Sequence, residues 1–141
     1  MVNKYSSYEF LKHKNGIFRS LYYINKDEPD IDDSKLSKSS QRVIRNWNNI
    51  SGQYVYYSET ANISHELMDE KSYVHVTSPM RRLVDLLNQI ETMENMGIVV
   101  SQQATDFKNK WLSEMEYINQ SMRSIRKVQS ECELLCKCFN D

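Results

Sequence analysis

Arg81 and Arg82 follow a Ser78-Pro79 pair and precede Asp85, and this is the stretch of the chain best suited to chemistry. Ser-Pro is a helix-start signal, with serine capping free amides and proline fitting the first helical position. Two arginines then fall in the first turn, where cations oppose the helix dipole. A helix start carrying two guanidiniums is poor for local stability and well suited to an anion such as a phosphate. Asp85 lies one turn after Arg81, where an i,i+4 pair would hold that guanidinium or simply add a weak surface contact. Just upstream, Tyr73 and His75 alternate along an extended run, placed either to stack on nucleic-acid bases or to pack as a plain strand.

Composition narrows the field around this site. The chain has 141 residues, enough for one domain with a modest core. Its net charge of −1 argues against a general nucleic-acid coat, so any such contact must be local. The three cysteines, Cys132, Cys136 and Cys138, are clustered and odd in number, which points to packing residues in a reducing, intracellular setting. His13, His65 and His75 are too remote to complete a zinc site with them. The N-terminus has no apolar signal core, and no run is long enough for a membrane span. Asp30, Asp32 and Asp33 sit in an acidic loop that lacks the glycine and closing glutamate of a calcium loop. No phosphate-cradling glycine motif or nucleophile elbow is present.

The elements that must position Arg81 are readable in outline. Residues 3–14 form a helix with Tyr5, Tyr8 and Leu11 at helical spacing, stopped by Asn15-Gly16. Residues 17–24 read as a strand, followed by the acidic loop from 25 to 34. A helix capped by Asp33 or Ser34 runs to about Asn48, with Trp47 on its apolar stripe. Residues 52–58 read as a second strand, and 59–76 as a less regular segment carrying His65. The Ser-Pro helix extends to about Met96, with Met80, Val84, Leu87 and Ile90 on one stripe, and Gly97 breaks it. Residues 102–139 contain no Gly or Pro, and apolar residues recur there every three or four positions. They form one long amphipathic helix or two nearly collinear ones, with packing against their own domain expected over a coiled coil. The result is a predominantly helical α+β fold in a single domain.

The stretch Tyr73 to Leu86 resembles the signature of the RNB family, the RNase II/RNase R-type exoribonucleases, which reads roughly Tyr-x-His-φ-Thr-Ser-Pro-φ-Arg-Arg-φ-x-Asp-φ. Tyr73, His75, Thr77, Ser78, Pro79, Arg81, Arg82, Asp85 and Leu86 match it. His65, Tyr57-Ser58, the Gly16-Ile17-Phe18-Arg19 strand, Asn3 on the first helix and the segment 119–139 are similar to flanking family features in order. Leu83 stands where an aromatic is usual, and Asn88-Gln89-Ile90 replaces a His-Arg. The resemblance implies the C-terminal half of an RNB catalytic domain, and a chain that begins at an internal methionine of a longer ancestral frame. Family members hydrolyse RNA from the 3′ end, with metal ions such as Mg²⁺ held by aspartates of the other half. No cofactor site is therefore expected in this chain. By this resemblance Arg81 is the catalytic, phosphate-contacting arginine. Arg82, Tyr73, His75 and Ser78 line the RNA, and Asp85 and Thr77 support them. Partners would be single-stranded RNA or a separate chain supplying the missing half. The alternatives are one subunit of a split nuclease and a non-catalytic protein-interaction module.

Overall fold

A computed structural model describes residues 2–23 and 50–140 of the chain. The acidic loop with Asp30, Asp32 and Asp33, the helix expected up to Asn48, and Trp47 lie outside the described residues. What is described is α+β and mostly helical, with one two-stranded sheet. Among the described residues no helix is long and apolar enough to cross a membrane. Contacts divide the chain into two compact units, residues 1–99 and 100–141.

In the first unit, α1 (Val2–His13) leads into β1 (Ile17–Tyr23). Lys12 and His13 occupy the last turn of α1, where positive charge suits the dipole. The helix stops in a Schellman pattern: Asn15 N–H donates to Phe10 C=O and Lys14 N–H to Leu11 C=O, with Lys14 left-handed at φ 56°. The face that packs is not the one carrying the tyrosines. Tyr5 and Tyr8 are exposed, while Ser7 and Phe10 are buried. Ser7 is small enough to reach Ser72, bonding to its hydroxyl (2.9 Å) and its carbonyl (3.1 Å).

The strand β1 pairs antiparallel with β2 (Ile50–Tyr56), Ile17 opposite Tyr56 and Tyr23 opposite Ile50. Its other edge meets the irregular segment that follows β2. Leu21 N–H donates to Ser64 C=O, Arg19 N–H donates to Tyr73 C=O, and Phe18 bridges Val74. Residues 17–21 are thus buried on both faces. One face closes an apolar core of Phe10, Phe18 and Val74, with Val55, Tyr57 and Val76 packed against it. Each large core side chain contributes about 1.5–3 kcal/mol by leaving water. The other face carries Arg19 opposite Tyr54, between buried Ile17 and Leu21, and it is the one that matters for the site.

The helix α2 (Leu83–Asn95) packs beside β1 through Val84, Leu87 and Ile90. Buried Asn88 takes the part of a strand residue: its Oδ1 accepts from Ile17 N–H, and its amide donates to the carbonyls of Ile17 and His75. A second Schellman pattern ends α2, with Ile98 N–H on Met93 C=O, Gly97 N–H on Glu94 C=O, and Gly97 at φ 71°.

The second unit holds α3 (Gln102–Ser113) and α4 (Met115–Asn140), two helices with a break at Glu114. Ser101 caps α3 by accepting from Ala104 N–H. Trp111 is half-buried beside Phe107 and Tyr117. Ile125, Val128 and Leu135 are each more than half exposed.

Candidate functional site

The segment 77–82 differs from the expected helix start. Ser78 to Arg81 form a turn in which Ser78 C=O accepts from the N–H groups of Arg81 and Arg82. The helix begins only at Leu83, with Arg82 as an extended N-cap residue at φ −129°, ψ 115°. Ser78 does not cap α2, and Pro79 is not its first residue. Met80, expected on the apolar stripe, is instead 97% exposed on the turn.

The reason lies in Asp85. Its side chain is wholly buried in the third position of α2, and it reaches back to the turn. Oδ2 accepts from Ser78 N–H at 2.7 Å and from Arg82 Nη2 at 3.0 Å. Arg82 Nε lies 2.8 Å from Oδ1, an ionic contact off the hydrogen-bond axis. A carboxylate near a helix N-terminus is favourable in its own right, and here it also neutralises the one arginine beside it. The expected Arg81–Asp85 pair is therefore replaced by an Arg82–Asp85 pair. Had the helix started at Pro79, Arg81 would lie one turn below Asp85. The extended N-cap swings Arg82 into that place instead.

Arg81 is left exposed on the turn, and its guanidinium makes no hydrogen bond or ion pair among the described residues. Thr77 is exposed as well. The two arginines thus divide into an anchor paired with Asp85 and an exposed cation without a partner among the described residues.

Behind the turn lies a cluster of rings. Tyr73 and His75 are half-buried and meet edge to face at 5.6 Å. His75 Nδ1 bonds the Tyr54 hydroxyl at 2.7 Å, so the ring is held by a side chain and not by backbone. Tyr73 accepts at its hydroxyl from the Asn3 amide, and Asn3 Oδ1 accepts from Val76 N–H, which ties α1 to this segment. His65, buried, packs its ring on Tyr73 at 5.1 Å. Arg19 lies over the Tyr54 ring with its guanidinium carbon 5.0 Å from the centroid. Gly52 gives that guanidinium its room, because a Cβ there would come within 2.4 Å of Arg19 Nη2.

Electrostatics keep both histidines neutral at physiological pH. Burial pushes His75 down to about 4, the Arg82 and Arg19 guanidiniums act the same way, and Asp85 opposes them. His65 is also pushed down, by burial first and by Arg19 as well, against a raising backbone hydrogen bond. The local charge is carried by the arginines, with the carboxylate of Asp85 opposing them.

Family models, curated proteins and solved structures were all compared with the chain, and none matches it. The reading of the site rests on its own residues.

Of the residues singled out from sequence, the fold brings Tyr73, His75, Arg82 and Asp85 together with His65. Ser78 contributes its backbone N–H, not its hydroxyl. Tyr54 was not singled out, and Arg19 was noted only as part of a strand pattern. The signal for both was available: an arginine within a strand of apolar and aromatic residues must find a cradle, and Gly52 in the partner strand provides one. A metal ion does not fit what is described, since no three His, Cys, Asp or Glu side chains converge among the described residues.

Proposed function

We propose that this chain is the phosphate-contacting half of an RNB-type 3′-5′ exoribonuclease site, binding single-stranded RNA through Arg81 and not hydrolysing it alone. The observation that carries the reading is the exposed guanidinium of Arg81, without a partner among the described residues, on a turn joined to the buried carboxylate of Asp85. An exposed cation on an anchored turn is suited to a phosphate oxygen. The half-buried rings of Tyr73 and His75 behind it offer surfaces on which a base can stack. Hydrolysis of a phosphodiester needs in addition a metal-activated water, and the described residues do not hold the ligands for one. On this reading the carboxylates come from a second chain, and this chain is one subunit of a split nuclease.

The test is fluorescence anisotropy with a labelled single-stranded RNA, run across a salt series on the full chain. Arg81→Ala should weaken binding by about tenfold and reduce the salt slope by about one. Neither protein should release mononucleotides with Mg²⁺ or Mn²⁺. Identical affinity and slope in the two proteins would remove Arg81 from the site. Metal-dependent mononucleotide release that disappears in Arg81→Ala would overturn the half-site reading.

A further inference from the structure

The two ring nitrogens of His75 sit in different surroundings. Nδ1 lies 2.7 Å from the Tyr54 hydroxyl. Nε2 makes no hydrogen bond among the described residues and is not one of their buried unpartnered nitrogens, so it keeps access to solvent. The ring is held between two others: Tyr54 meets it edge to face at 5.7 Å, and Tyr73 at 5.6 Å. The direction of the proton in the Tyr54 bond therefore fixes what Nε2 offers. A phenol O–H, with a pKa of about 10, gives up its proton far more readily than a neutral imidazole N–H. The Arg19 guanidinium, its carbon 5.0 Å from the centroid of the Tyr54 ring, draws electron density from it and strengthens the hydroxyl as a donor. Burial first, and the Arg82 and Arg19 guanidiniums after it, hold the imidazole neutral at physiological pH. Tyr54 thus donates to Nδ1, and the remaining ring proton sits on Nε2.

We infer that His75 is a specificity-determining residue of the RNA site, its Nε2–H donating to an uncharged acceptor oxygen of the nucleotide, and that Tyr54 is the positioning residue that sets this tautomer. This role rests on the RNA reading proposed above and adds a contact of a different kind. Arg81 carries charge and suits a phosphate whatever the base. The Arg82–Asp85 pair that anchors the Arg81 turn also acts on the charge of His75, which places the donor beside that turn. A neutral donor set among rings is matched to a neutral oxygen, and single-stranded RNA offers two kinds on its splayed nucleotides. One is the keto oxygen of a base, which uracil, cytosine and guanine carry and adenine lacks. The other is the ribose 2′-hydroxyl, which every ribonucleotide carries and DNA lacks.

The ¹⁵N shifts of His75 in the full chain at neutral pH test the tautomer without any variant. We expect an unprotonated Nδ1 and a protonated Nε2, and Tyr54→Phe should convert this state to a mixture. A protonated Nδ1 in the parent chain overturns the proposal. Anisotropy with labelled oligo(U), oligo(A) and oligo(dU) across a salt series tests the contact itself. His75→Phe keeps an aromatic ring and should weaken oligo(U) binding about three- to tenfold. The salt slope should not change, because a neutral donor releases no counterions. With a base keto group as acceptor, oligo(U) and oligo(dU) lose affinity and oligo(A) does not. With the ribose hydroxyl as acceptor, oligo(U) and oligo(A) lose it alike and oligo(dU) does not. Equal losses on all three, no loss on oligo(U), or a reduced salt slope would each overturn the donor role, the last by showing that the ring only supports the Arg81 turn. Should His75→Phe fail to fold, Tyr54→Phe carries the same comparison with an expected loss of about two- to threefold on oligo(U). Arg81→Ala separates this role from the reading beneath it. If Arg81→Ala lowers affinity and slope while His75→Phe changes nothing, the RNA reading stands and the donor role falls. If the parent chain binds none of the three, both fall.

Discussion

Removing the Asp85 carboxylate should release the turn that carries both arginines and destabilise the fold. In Asp85→Ala, Arg82 loses its partner, and Ser78 N–H loses its acceptor. Breaking a fully buried ion pair from one side costs about 3–5 kcal/mol, because the remaining charge stays desolvated. Arg82 is 21% exposed, so water recovers part of that. Loss of the Ser78 hydrogen bond adds about 1 kcal/mol. The expected net cost is about 3 kcal/mol, which lowers Tm by about 10 °C for a chain of this size. Asp85→Asn keeps an acceptor of the same shape and should lose about half as much.

Chemical denaturation of Asp85→Ala, Arg82→Ala and the double variant gives the decisive comparison. If the pair is what holds the turn, the two single losses do not add, and the coupling energy exceeds about 1 kcal/mol. The turn also presents Arg81, so at temperatures where Asp85→Ala is still folded its RNA affinity should fall although Arg81 is intact. A loss below about 1 kcal/mol, or single effects that add to within about 0.5 kcal/mol, would refute the anchor role of Asp85.

Other consequences are as direct. Asn88→Ala strips hydrogen bonds from Ile17 N–H, Ile17 C=O and His75 C=O, and should cost about 2–4 kcal/mol while the Ile17 amide loses hydrogen-exchange protection. Gly16→Ala puts a Cβ 2.6 Å from the Phe10 ring at a φ of 93°, and should cost about 3 kcal/mol in urea melts. Gly97→Ala, at φ 71° with no atom within 4 Å of the new carbon, should cost only the backbone part, about 1 kcal/mol. His75 sits at about 4 when folded, below its ordinary 6.5, so the unfolded chain takes up the proton first. Its contribution is full above pH 6.5, is lost as pH falls from about 6.5 to about 4, and levels off below. The loss should be about 1–2 kcal/mol after allowing for partial exposure, seen as the part of the Tm–pH slope that His75→Gln removes.

Local signals carried the elements that local interactions decide. The stop near Asn15-Gly16 and the break at Gly97 are both Schellman ends, written in a few adjacent residues. The two strands and the helices of the second unit were legible from β-branched and helical spacing. The start of α2 was not. Ser78-Pro79 is a sound start signal, yet Asp85 competes for the Ser78 amide from seven residues away and holds the segment as a turn. Met80, Arg81 and Arg82 move to new positions as a result. The pairing of β1 with Ser64, Tyr73 and Val74 was hidden for a different reason. It is made of isolated bridges across more than forty residues, with no period to detect. Tyr54 escaped notice because its role depends on which strand faces which, and Arg19 and His75 reach it only after the sheet has formed. On α4 the periodicity reported a demand for burial without saying what meets it.

The division between the two arginines is the step that links this fold to its proposed chemistry. Cations at a helix start are unfavourable, and Arg82 offsets that cost by pairing with Asp85. Arg81 has no such compensation among the described residues and is exposed. Its replacement by alanine should therefore leave stability within about 0.5 kcal/mol of the parent. A residue that stabilises nothing, on a turn that a buried pair holds rigid, gains its value only from something outside the chain. The pair of outcomes is what separates this reading from a structural one. Arg81→Ala should be silent in a thermal melt and evident in an RNA titration, while Arg82→Ala should be evident in both. If Arg81→Ala destabilises the fold by more than about 1 kcal/mol, its guanidinium serves the fold and the phosphate reading loses its foundation.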